Sequence, residues 1–173
     1  MRAEWYPKGE IVHILAALQP LNRLACEISL ATGLRINDVL ALRSSQIKKQ
    51  RFTVKEEKTG KTKNVYLPVD LQVRCLACCG QHYVFEGRLN GKHHRTRQAV
   101  FKDLRRVVNL FNIKQHITPH SMRKVYAVEE YKKHGDLKRV QRLLNHSNEA
   151  VTLLYAMANI VEKRKTFTKF RKG

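Results

Sequence analysis

Along most of this chain apolar residues recur at intervals of three and four, the spacing that lays them on one face of an α-helix. Glu10 to Leu18 reads as a first helix, and Leu21, Leu24, Ile28 and Ala31 mark a second. Gly33 closes that second helix, because glycine takes the left-handed conformation a helix end favours. A short third helix is expected from about Asn37 to Arg43. The period then changes. In "RFTVKEEKTGKTKNVYLP" β-branched and aromatic residues alternate on both sides of a Thr-Gly turn, which predicts a β-hairpin ended by Pro68. Leu71 to Cys79 returns to helix, "HYVFEG" reads as a short strand, and "RLNGKHHRTR" as a basic, glycine-containing loop. Val100, Leu104, Val107, Val108 and Phe111 hold helical spacing again. Thr118 and Pro119 fit the cap and first position of a helix running to His134 and stopped by Gly135. Asp136 caps the next helix, with Leu137, Val140 and Leu143 on one face. Ser147 or Asn148 caps a last one, which carries Tyr155. No internal repeat or low-complexity linker interrupts the series. The expected class is α+β, mainly helical, with one small antiparallel sheet.

Composition narrows what such a fold is for. A length of 173 residues with 43% hydrophobic content suits one domain with a real core. Lysine and arginine total 34 against 14 acids, a formal charge of +20. So large an excess costs self-repulsion and points to a polyanionic partner. The chain shows no apolar run of membrane-spanning length. Glu4 and Glu10 stand where a signal peptide needs an unbroken apolar region, so an anionic membrane surface is a poor second to nucleic acid. Four cysteines (Cys26, Cys75, Cys78, Cys79) make no disulfide framework, which predicts an intracellular protein with reduced thiols.

Three polar spots carry candidate chemistry. In "ATGLRINDVLAL", Arg35 follows the helix-ending glycine and Asp38 lies one helical turn on; alone, this reads as a solvated arginine at a helix junction. In "TPHSMRKVYA", His120 and Arg123 stand three apart at a helix start, a place that favours a bound anion, although capping alone explains a histidine there. In "LLNHSNEAVTLLYA", His146 precedes Tyr155 by nine residues, and a tyrosine on an apolar face is usually core. "CLACCGQH" has a Cys-x-x-Cys spacing with His82 behind it but lacks a second ligand pair at zinc-finger spacing, so zinc is set aside. Tyr126 and Tyr131 read as core or rim, and His93 and His94 as loop residues facing solvent or DNA.

Taken in order, "TGLR", "HSMR", "LLNHS" and the following tyrosine resemble the Arg, His-x-x-Arg, His and Tyr pattern of the tyrosine recombinase (phage integrase) family over roughly residues 10–160. "EEKTGKTKNVYLP" is similar to that family's β-hairpin, with Lys58 at the position of its lysine. The resemblance implies the following roles. Tyr155 is the nucleophile on a DNA phosphodiester, Arg35 and Arg123 hold the phosphate, and His120 and His146 serve proton transfer and hydrogen bonding. Lys58 protonates the leaving 5′ oxygen, and Asp38 supports His120 or Arg35. The residue types suit the reaction: guanidinium forks match two non-bridging oxygens, and a phenol needs a proton acceptor and a positive field. Lys61, Lys63, Arg95 and Arg97 are expected to contact DNA, although Lys61 and Lys63, just after the turn, also compete with Lys58 for the leaving-group role. No cofactor and no metal are expected, as the sequence has neither a carboxylate cluster nor a P-loop. The resemblance further implies double-stranded DNA as partner, a homo-oligomer (a tetramer on DNA, compatible with a monomer in solution) and a cytoplasmic location. A single catalytic domain over 1–173 is expected, with a basic tail from about residue 160. In a departure from the family, most of which carry an N-terminal clamping domain, none is expected here, which leaves open an excised catalytic domain or a short recombinase that manages without the clamp. Two rivals are a strand relaxer like the type IB topoisomerases and a catalytically idle DNA-binding regulator.

Overall fold

The computed structural model describes residues 6–88 and 90–145. His146 and Tyr155 lie outside the described residues, as does the helix expected to carry the tyrosine. The elements follow the order α1 (Lys8–Ala16), α2 (Pro20–Thr32), α3 (Ile36–Leu40), β1 (Arg51–Lys55), β2 (Thr62–Tyr66), α4 (Val69–Cys78), α5 (Arg97–Leu110), α6 (Pro119–His134) and α7 (Leu137–Leu143). The protein is thus mainly helical with a two-stranded antiparallel sheet. It divides into two compact units, residues 1–126 and 127–173, where the sequence pattern suggests one domain.

Local chemistry sets most boundaries in the first unit. Pro20 opens α2 where a missing N–H costs nothing. Gly33 ends that helix at φ 67, its N–H donating to the Ser29 carbonyl. A side chain there would also collide with Tyr126, whose Cδ1 lies 2.4 Å from where a Cβ would stand. Thr96 caps α5 by accepting from the Ala99 N–H. The apolar positions of α5 (Val100, Leu104, Val107 and Val108) are all essentially inaccessible and join Ile11 and Ile14 of α1, Ile28 of α2 and Met122 of α6 in one core. Each such side chain contributes about 1.5–3 kcal/mol by leaving water.

Two expectations are corrected. The third helix stops at Leu40 instead of Arg43, because the chain peels off to meet residues 82–84: Leu42 accepts from the Val84 N–H, and the Ser44 N–H donates to His82. "HYVFEG" is not a strand. It makes single bridges only, Arg43 with Tyr83 and Glu86 with His94. Its apolar residues Val84 and Phe85 are buried all the same. Tight bonds on either side (Gly80 N–H to Tyr83, Gly87 N–H to His93) curl the segment before a ladder can extend.

In the second unit, Gly135 has φ 64 and its N–H donates to the Tyr131 carbonyl, ending α6 at the expected place. The Asp136 side chain caps α7 by accepting from the Arg139 N–H at 3.0 Å. Val140 and Leu144 are buried.

The β-hairpin positions the site. Its register pairs Val54 with Lys63, and alternation puts Val54 and Glu56 on the buried side of one arm and Lys63, Val65 and Leu67 on that of the other. Lys58 and Lys61 fall on the exposed side of the turn, which Gly60 allows with φ 64.

Candidate active site

Arg35 stands at the cap position of α3, immediately after the short link that Gly33 makes possible. Its Nη1 donates to Glu56 Oε2 at 2.8 Å. From α6, Arg123 reaches the same carboxylate: its Nη1 lies 3.9 Å from Glu56 Oε1 and donates to the Gly33 carbonyl. Among the described residues Arg123 heads the largest fully buried side chains, at 2% exposed. Asp38 completes the acidic side. It is buried, and its Oδ1 accepts from the Glu57 N–H at 3.0 Å, tying the hairpin to α3.

Lys63 is the third cation here. Only 8% of it is exposed, its Nζ donates to the Thr32 carbonyl at 2.7 Å, and it lies 5.6 Å from the centre of the Tyr126 ring. Burial, then the charge of Arg123, lowers its amine from 10.5 to about 8. Burial also pushes the Asp38 carboxyl up, reinforced by Glu56 and opposed by the Glu57 N–H and both arginines. At Glu56 burial acts in the same upward sense, but the Thr59 hydroxyl, Arg35 and Arg123 together outweigh it and hold the carboxyl below its ordinary value. Three cations thus stand with two acids, leaving a net positive charge in a largely buried cluster. Such a place can receive a phosphodiester and hold the charge that develops on it.

The structure brings together Arg35, Asp38 and Arg123 of the expected set. His120 is half-buried in the first turn of α6, three residues before Arg123. Lys58 is placed apart from the buried cluster, exposed on the turn. Lys63 corrects a further expectation: read as a DNA-contacting residue, it is sealed against Thr32, because its strand position faces inward. Arg95 also differs from a free DNA contact, since it is half-buried with its Nε donating to Asn22 Oδ1 at 2.7 Å. Lys61 and Arg97 are exposed. Sequence reasoning missed Glu56. The signal was strand alternation, which gives Glu56 the same inward parity as Val54.

Among the described residues no group of His, Cys, Asp or Glu could hold a metal ion. Burial pushes the Cys75 thiol up to about 12, as expected of a thiol packed in apolar surroundings. No described helix is long and apolar enough to cross a membrane.

Comparison with known proteins bears on the family and the fold. The model of the phage integrase family matches residues 4–161. The chain is 29% identical over 168 residues to a tyrosine recombinase of Thermosipho africanus, covering 88% of this chain and 56% of that protein. It is 29% identical over 149 residues to the tyrosine recombinase XerD of Lacticaseibacillus casei, covering 78% and 49%. The chain therefore spans about half the length of the curated relatives it matches. Among solved structures, a lambda integrase dimer bound to a COC′ core site superposes with a TM-score of 0.73 at 20% identity, covering 88% of this chain and 48% of that one. XerA recombinase gives 0.72 at 19% identity, covering 99% and 66%. At these identities the two structures establish the fold.

Proposed function

The chain belongs to the phage integrase family, and from that premise we propose that it cuts and rejoins DNA strands as the catalytic part of a site-specific recombinase. The observation that carries the reading is the pair of Arg35, half-buried, and Arg123, buried, brought from separate elements to one carboxylate and backed by Lys63. A fold that needed only to bind DNA would keep its cations at the surface. Two guanidinium groups held in a dry, preorganised site stabilise charge on a reacting phosphate.

In the proposed reaction the Tyr155 oxygen attacks the scissile phosphorus while its proton passes to His120. Arg35 and Arg123 bind the two non-bridging oxygens, and His146 donates a hydrogen bond to one of them. The bond from phosphorus to the 5′ oxygen breaks, and that oxygen takes a proton from Lys58 and leaves as a 5′-hydroxyl. The strand end remains as a 3′-phosphotyrosine ester, and attack by a different 5′-hydroxyl reverses the steps and exchanges strands. Lambda integrase has been solved as a dimer on a core site and as a tetramer on a Holliday junction. Duplex DNA and a tetramer on it are the corresponding partners proposed here, in a cytoplasmic setting.

The test is a nicked suicide duplex, from which the small downstream strand diffuses away and traps the ester. Wild-type protein should form an adduct that survives detergent, while Tyr155→Phe should bind the duplex and form none. An adduct with the Phe variant would place the nucleophile elsewhere, and relaxation of supercoiled DNA without strand exchange would favour a topoisomerase.

A further inference from the structure

Glu56 is a carboxylate sealed where the site's positive charge is concentrated. It has no exposed surface, and its Oε2 accepts from both Arg35 Nη1 and Thr59 Oγ1 at 2.8 Å. Its backbone closes the turn as well: the Glu56 N–H donates to the Lys61 carbonyl, and the Glu56 carbonyl accepts from the Gly60 N–H, each at 2.9 Å. The next residue's N–H goes to Asp38. One residue thus registers the hairpin turn against the arginine of α3. A buried, charged carboxylate is costly unless paired, and an apolar residue would suit this inward strand position on packing grounds alone. The proposed reaction uses no atom of Glu56. Arginine, by contrast, has about 2 kcal/mol of rotamer entropy, and ordering it in advance favours any step that needs a fixed fork.

We infer that Glu56 is a positioning residue that acts through Arg35: it fixes the guanidinium before DNA arrives, and its effect falls on the rate of strand cleavage and not on DNA affinity. The inference rests on the proposed strand-cleaving reading, but part of its test does not require cleavage.

The full chain is first incubated with nicked duplexes of randomised sequence, and the sequenced adducts define a substrate. Single-turnover cleavage of that duplex should fall roughly 10-fold in Glu56→Gln, which keeps an acceptor for Arg35, and roughly 100-fold in Glu56→Ala, the scale of a misplaced catalytic fork. Duplex affinity should stay within about 3-fold, since the phosphate contacts that set it remain. Because residues acting as a unit are non-additive, Arg35→Ala/Glu56→Ala should be no slower than Arg35→Ala beyond about 2-fold. Multiplying losses in the double variant, or affinity falling in step with rate, would overturn the inference. If Glu56→Ala does not fold by thermal melting, the Gln variant supplies the same cycle. Independently, NMR relaxation of the Arg35 Nε–H in DNA-free protein should show an ordered side chain in wild type and a measurably less ordered one in Glu56→Gln. Equal order in both overturns the inference, whatever the DNA does. A wild-type protein that forms no adduct with any duplex in the pool sinks the strand-cleaving reading instead, and the NMR comparison still decides the role of Glu56.

Discussion

Replacing Lys63 with Met keeps the length of the side chain and removes its ammonium. In the folded protein the amine is lowered from 10.5 to about 8, first by burial and then by Arg123. At about 1.4 kcal/mol per unit, holding Lys63 charged costs the fold about 3 kcal/mol at neutral pH. The sign follows from proton counts. Between pH 8 and 10.5 the unfolded chain binds more protons than the folded one, so stability from this group rises with pH across that window. Below pH 8 the whole cost is present. Met forfeits the hydrogen bond to Thr32 and the approach to Tyr126, together worth about 1–2 kcal/mol. At pH 7 Lys63→Met should therefore match or exceed wild-type stability by about 1–2 kcal/mol. Going from pH 7 to pH 10, wild type should gain about 2–3 kcal/mol on the variant. Urea unfolding of both proteins at the two pH values measures this, and the difference cancels every other titrating group. Stabilities that move in parallel would show that the Lys63 amine is not depressed, and that the site is wetter than its geometry indicates.

Gly33→Ala combines a left-handed backbone with a collision against the Tyr126 ring and should cost about 2–4 kcal/mol in denaturant unfolding; a loss below about 0.5 kcal/mol would mean the ring yields freely. Arg97→Ala should leave melting unchanged and flatten the slope of log DNA affinity against log salt by about 0.9, one phosphate contact. Arg95→Ala should instead lower the melting temperature, since Arg95 holds Asn22; the reverse assignment would contradict the placement of both. Lys58→Ala should slow cleavage roughly 100-fold on ordinary DNA, as loss of a general acid does, and recover near wild-type rate when sulfur replaces the bridging 5′ oxygen. Rescue of Lys63→Met by the sulfur substrate would move the acid to the buried arm of the hairpin.

Features that depend on a few neighbouring residues were legible without the fold. Gly33 and Gly135 end helices at positive φ, and Asp136 caps α7, because a glycine's freedom or a side-chain oxygen three residues from an N–H acts within one turn. The core of α5 was legible for the same reason, since its period needs no partner to be recognised. The order of arginine, histidine-arginine, histidine and tyrosine motifs also pointed to the family without any help from the fold. Beyond the hairpin, what pairs with what was not legible. "HYVFEG" has the composition of a strand, but strands exist by virtue of a neighbour, and here the chain turns after each bridge. The hairpin lysines show the limit most clearly. Alternation gives Glu56 and Lys63 the same inward parity as Val54 and Val65, yet charged residues are almost never fully buried, and that rule overrides parity when the sequence is read alone. Tertiary structure makes their burial possible by setting Arg35 and Arg123 opposite Glu56 and the Thr32 carbonyl opposite Lys63. Charge can leave water only where opposite charge or a hydrogen-bonding partner is already in place, and those partners come from elements distant in sequence.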